Sequence, residues 1–81
     1  MNLTQQQKIK RIPIVGDLIY KLGKNYNLCS FLVLSEPFCT KAIWFCELLD
    51  IKTLTKSQWF FTKGELRHGV YLLSEGNNLN G

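Results

Sequence analysis

Of the three cysteines in this 81-residue chain, Cys39 has the neighbours that a reactive thiol needs. It follows an apolar run, Leu28 to Leu34, and a short loop holding Pro37, at the point where the pattern predicts a helix to begin between Pro37 and Ala42. A helix start favours the thiolate, the nucleophilic form, through its dipole and its unpaired N–H groups. Lys41, two residues on, adds a cation. The thiolate is therefore expected to form below the roughly 8.5 of an ordinary cysteine. Read without chemistry, the same residue is a small apolar side chain at a helix start, for free cysteine is among the most buried residue types. Cys29 and Cys46 read as core residues, and Cys46 lies two helical turns beyond Cys39, too far for a disulfide within one helix.

The elements that must position Cys39 are read from the hydrophobic pattern. Leu28 to Leu34 (LCSFLVL) is apolar almost without alternation, the mark of a strand covered on both faces. Ser35-Glu36-Pro37 breaks it. Ala42, Phe45, Cys46 and Leu49 then recur at i, i+3, i+4 and i+7, widened by Ile43, Trp44 and Leu48, which predicts a deeply buried helix. Upstream, residues 1–12 form a basic polar lead-in. From Pro13, a first-turn residue, Ile14, Val15, Leu18, Ile19 and Leu22 predict a short amphipathic helix that ends at Gly23. Downstream, Ile51 to Thr55 reads as a short strand and Ser57 to Thr62 as a helical turn. Lys63-Gly64-Glu65 reads as a turn, Gly69 to Leu73 as a strand, and Asn77 to Gly81 as loop. Trp59, Phe60 and Phe61 cannot all point inward from one helix, so at least one is expected to be exposed or to meet a partner.

Length allows one small domain, residues 13–81, with a marginal core. The chain is 46% hydrophobic and 20% charged, which excludes an intrinsically disordered segment. The net charge of +4 is concentrated in residues 1 to 27, where Lys8, Lys10, Arg11, Lys21 and Lys24 face Asp17 alone. Such a segment suits nucleic acid, anionic lipid or an acidic partner, or is simply a solvated face. An odd cysteine count, no CxxC pair and no secretory leader point to a reducing, cytoplasmic setting. One histidine, His68, and the cysteine spacing leave no metal site. The longest uncharged stretch, Asn25 to Ser35, is about half of what a membrane-spanning helix requires.

The run Leu34-Ser35-Glu36-Pro37-Phe38-Cys39-Thr40-Lys41-Ala42-Ile43-Trp44, continuing to Leu49 and Ile51, resembles the first βα unit of glutathione transferases. There a strand ends in a Ser-x-Pro-aromatic loop, a Ser or Cys follows, and a Lys-Ala-x-Trp helix begins. Glutaredoxins share the Ser-x-Pro-aromatic-Cys part. A fainter match is Gly69-Val70-Tyr71-Leu72-Leu73 followed by Gly76, where these families carry Val-Pro with a cis proline. The resemblance implies an α/β fold over residues 28–76, a small thioredoxin-like mixed sheet, complete or incomplete, with flanking helices. It implies Cys39 as a monothiol site, glutathione as a possible ligand, and Pro37, Phe38, Lys41, Val70 and Tyr71 as substrate-binding positions. Tyr71 in place of the proline implies a trans peptide and an altered glutathione edge. The family's last strand, its acidic-Ser pair and its helical second domain have no counterpart before Gly81.

Three function classes follow. The first is a thioredoxin-like thiol protein with Cys39 as its reactive group. The second is a noncatalytic interaction module that self-associates or docks a protein partner through Lys8, Lys10, Arg11, Trp59 and Phe60, at an unpaired sheet edge. The third is a basic nucleic-acid-binding protein in which a helix over 36–50, Leu54 to Phe61 and a hairpin form a winged helix.

Overall fold

Two-residue alternation, not helical spacing, governs the middle of the chain. The computed structural model describes residues 7–23 and 26–76. Its strands are β1 (Gln7–Lys8), β2 (Leu18–Leu22), β3 (Leu28–Val33), β4 (Phe38–Thr40), β5 (Ile43–Asp50), β6 (Thr55–Phe61) and β7 (Tyr71–Ser74). A single short helix, α1 (Lys63–Gly69), is described between β6 and β7. Every strand pair is antiparallel. The sheet order is β1-β7-β2-β3-β5-β4, with β6 on the other side of β5, and the whole forms a curled half-barrel.

This overturns the α/β, thioredoxin-like expectation. Residues 13–22 give a loop and β2 where an amphipathic helix was expected, and 38–50 give a hairpin where a buried helix was expected. Of the helical stripe Ala42, Phe45, Cys46 and Leu49, the first falls in the β4–β5 turn and the rest are split across both faces of β5, one buried and the other half-covered. Ile51 to Leu54 is the four-residue β5–β6 turn, and 55–61 is strand, not helical turn. The winged-helix arrangement loses its helices in the same way. Two expected strands are present, as β3 and β7, and both lie inside the sheet rather than at its edges. The expected polar lead-in over 1–12 falls partly, and the C-terminal loop over 77–81 wholly, outside the described residues.

The β4–β5 hairpin closes through Lys41-Ala42, both with positive φ (51° and 70°), between the paired Thr40 and Ile43. Two left-handed residues define the hairpin turn whose twist matches the strands, and the usual residues there are Asn and Gly. β3 and β4 run along the same side of β5 as one interrupted strand. At the interruption Leu34 N–H donates to Glu47 O, and Ser35 Oγ accepts from Glu47 N–H at 2.9 Å. Pro37, which has no N–H, suits this gap.

The core lies on the concave face: Ile9, Ile19, Phe31, Val33, Cys46, Leu48, Phe61, Leu66 and Val70. α1 brings Leu66 to it. Thr62 caps the helix: its Oγ1 accepts from Glu65 N–H while Glu65 Oε1 accepts from Thr62 N–H.

The loop before β2 is held by Asp17, whose side chain has 0% exposure. Its carboxylate accepts two hydrogen bonds from the Arg11 guanidinium, at 2.8 and 3.0 Å. It also accepts from Ile14 N–H at 2.9 Å and Gly76 N–H at 2.6 Å. Burial alone would raise this carboxyl group's pKa. The hydrogen bonds from Arg11, Ile14 and Gly76 outweigh burial and hold it below its ordinary value. Two glycines are required here. Gly16 has φ 93°, and a Cβ on Gly76 would collide with Val15 O and come within 2.8 Å of Asp17 N.

Candidate functional site

The two faces of the sheet offer different chemistry. On the convex face β4, β5 and β6 place Phe38, Phe45 and Phe60 side by side, because Phe38 pairs with Phe45 and Phe45 with Phe60 in register. Ring centroids are 5.2 Å apart for Phe38–Phe45, edge to face, and 5.4 Å for Phe45–Phe60, tilted. Phe38 is 60% and Phe60 58% exposed, and Ile43 beside them is exposed too. Glu47 and Gln58 border this ladder on one side. On the other side stand the Lys41 turn and the start of α1.

Three residues after Phe60, Lys63 enters a cleft of about 230 Å³ lined by Ile9, Lys10, Arg11, Ile12, Lys63, Leu66 and Arg67. All its charged groups are cations. Arg11 is already committed to Asp17, whereas Lys10, Lys63 and Arg67 have no ion-pair partner among the described residues. Lys63, the third residue after Phe60, is joined to the ladder by no more than about 11 Å of chain.

On the concave face a groove of about 560 Å³ runs between β2–β3 and β6. Lys21 Nζ lies 4.7 Å from the Phe31 ring centroid and 5.2 Å from that of Trp59. In a flat sheet β2 and β6, three strands apart, would be separated by about 14 Å, so this contact measures the curl. Burial pushes the Lys21 ammonium pKa down. Burial also pushes the nearby Cys46 thiol up to about 11, leaving it a neutral core group.

The residues singled out from the sequence are dispersed. Cys39 is exposed on β4 opposite Trp44, and no helix starts beside it, so the electrostatic reason for an activated thiolate is lost. Phe38 and Lys41 are exposed and Pro37 half-buried nearby. Val70 belongs to the core, and Tyr71 is half-buried on β7 opposite Lys8 and Tyr20. β7 pairs with β1 and β2 and β4 pairs with β5, so no strand pairing brings Val70 and Tyr71 to Cys39. No described peptide bond is cis. Lys8 and Lys10 are exposed, while Arg11 is turned inward to Asp17. Phe60 is exposed as a strand requires, and Trp59 and Phe61 turn to the concave face.

Sequence reasoning missed Lys21, Phe45, Lys63 and Arg67. The Thr62…Glu65 capping signature was there to place α1, and with it the cationic cleft. Among the described residues no three or more His, Cys, Asp or Glu side chains gather as metal ligands. Among them, too, no helix is long and apolar enough to cross a membrane. The chain matches no protein-family model, no curated protein and no solved structure.

Proposed function

We propose that this chain is a noncatalytic binding module that holds a single-stranded nucleic acid on the convex aromatic ladder, with its backbone led towards the cationic cleft that follows β6 in the chain. The observation that carries this reading is the row Phe38–Phe45–Phe60, three rings in register on an open antiparallel sheet. Every base has an apolar face that stacks on such rings without regard to sequence, and cations neutralise the backbone between them. Lys10, Lys63 and Arg67 are the phosphate contacts, and Glu47 marks the side that the strand avoids. The net charge of +4 agrees in sign. Glutathione chemistry is not part of this reading, because the helix start that was to activate Cys39 is replaced by a hairpin.

The test is fluorescence anisotropy of a labelled dT12 or U12 oligonucleotide titrated with the protein at several salt concentrations. Each stacked base is worth about 1–3 kcal/mol, so Phe60→Ala and Phe45→Ala should each weaken binding by about 5- to 150-fold. Three neutralised phosphates give a slope of log K against log salt near −2. Absence of binding at low salt, or equal binding by Phe60→Ala, removes the reading. The second reading is self-association or a protein partner, favoured by the outer edge of β6, which pairs with no other described strand. A salt-independent dimer in sedimentation that Phe60→Ala dissociates would establish that reading in its place.

A further inference from the structure

The concave groove is distinct from the ladder and the cleft, and Lys21 is its unusual member. Lys21 shares a face with Ile19 because it lies two residues along β2, and it pairs with Cys29 as Ile19 pairs with Phe31. A lysine here places a cation where the pattern would put a core side chain. Its ammonium can donate three hydrogen bonds, and one is made, to Leu22 O at 3.0 Å. No carboxylate among the described residues reaches it. Asp50 also lines the groove, but its Oδ1 accepts from Lys52 N–H and Thr53 N–H and so closes the β5–β6 turn. Lys56 belongs by alternation to the other face of β6 and reaches the groove at its rim. One cation with spare donors therefore sits between two aromatic rings in an open groove of about 560 Å³, within the range of small-molecule sites.

We propose that this groove binds a small planar monoanion, an aromatic carboxylate, with its carboxylate on Lys21 Nζ and its ring along the half-buried Trp59. Single charge follows from Lys21 being the one inward cation among the described residues, since a phosphate dianion would need a second one. Planarity follows from the walls: Phe31 and Trp59 offer faces, and Ser57 and Thr55 on the same side of β6 offer hydroxyls at the open end. The partial burial that pushes the Lys21 ammonium down is relieved when an anion shares the site, so binding and charge reinforce one another.

The probe is naphthalene-2-carboxylate, followed by NMR at the Trp59 indole N–H and the Lys21 side chain, with the neutral naphthalene-2-carboxamide as control. Saturable shifts at both positions are expected, with the carboxamide at least tenfold weaker. Lys21→Met keeps the apolar stem and should lose at least tenfold in affinity for the carboxylate but not for the carboxamide, while Lys21→Arg retains it. Shifts confined to the Phe38–Phe45–Phe60 face, no saturation at millimolar probe, or equal affinity in Lys21→Met would each overturn the proposal. Phe60→Ala is expected to leave this binding unchanged, which separates the result from the fate of the nucleic-acid reading.

Discussion

Residues 9–17 and the sheet of β4, β5 and β6 divide burial from regularity. The first region has almost no repetitive structure, yet it buries Ile9, Pro13 and Asp17. The second is regular nearly throughout and leaves Phe38, Ile43 and Phe60 exposed. Paired strands satisfy their own backbone groups, so their outer side chains are free to serve as surface. An irregular loop has no such ladder and must find partners elsewhere. Asp17 supplies them, accepting from two backbone amides and a guanidinium, and so ties residues 11–17 to Gly76 across the chain.

The largest effect should come from breaking that tie. Asp17→Ala leaves Ile14 N–H, Gly76 N–H and the half-exposed Arg11 guanidinium without their acceptor, a loss of about 1–3 kcal/mol for each of the two backbone donors. A domain of this length has roughly 4–12 kcal/mol in total, so the variant should unfold at far lower urea or not fold at 37 °C. Gly76→Ala should act in the same direction through its collision with Val15 O. An unchanged urea midpoint for Asp17→Ala would show that the loop is not held this way.

The neighbours Phe60 and Phe61 sharpen the comparison within one strand. Phe61 is 1% exposed against Trp44 and Trp59, and Phe61→Ala should cost about 3–5 kcal/mol. Phe60→Ala removes an outer ring and should cost less than about 1 kcal/mol while still abolishing most binding. Equal destabilisation by the two would mean that β6 is not presenting alternate faces.

Acid should weaken the irregular region first. The native Asp17 carboxyl titrates below its ordinary value, so the unfolded chain binds this proton more readily than the native one. The stabilisation is full above about pH 4, the unfolded value, and is lost as pH falls through the lower native one. Urea midpoints of the wild type should fall across that window, and those of Asp17→Asn should fall less. Parallel curves for the two proteins would assign the acid sensitivity to other carboxylates.

What could be read in the sequence follows the same division. Strands β3 and β7 were legible because they are short apolar runs with clear stops. The exposed aromatic among residues 59–61 was legible because three adjacent rings cannot share one buried face. The β4–β5 hairpin was not: its turn residues are Lys41 and Ala42, which give none of the Asn-Gly signal, and the apolar residues of β5 fall by coincidence at helical spacing. Once that helix was assumed, Cys39 acquired an activating environment that the fold does not provide. Asp17 entered the sequence reading only through the charge balance of residues 1 to 27, because two of its partners are backbone amides that a sequence does not display.

The hairpin turn gives a test in which the two readings differ in sign. Ala42 in a left-handed conformation is strained, and glycine relieves it, so Ala42→Gly should stabilise the protein by about 0.5–1 kcal/mol. Inside a helix the same change would destabilise by about 1 kcal/mol. A lower melting temperature for Ala42→Gly would count against the hairpin and restore the helix.

The smallest effect is expected at Cys39. It lies on β4, all three residues of which are exposed, pairs with the half-buried Trp44, and has lost the helix start expected to activate it. Cys39→Ser should therefore change stability by less than about 0.5 kcal/mol and leave oligonucleotide binding intact. Accessibility and reactivity separate here. Native-state iodoacetamide should label Cys39 before Cys46, which is buried with its thiol pushed up to about 11. Labelling of Cys46 as fast as that of Cys39 would mean that β5 opens in the native state and that exposure on β4 does not set the order.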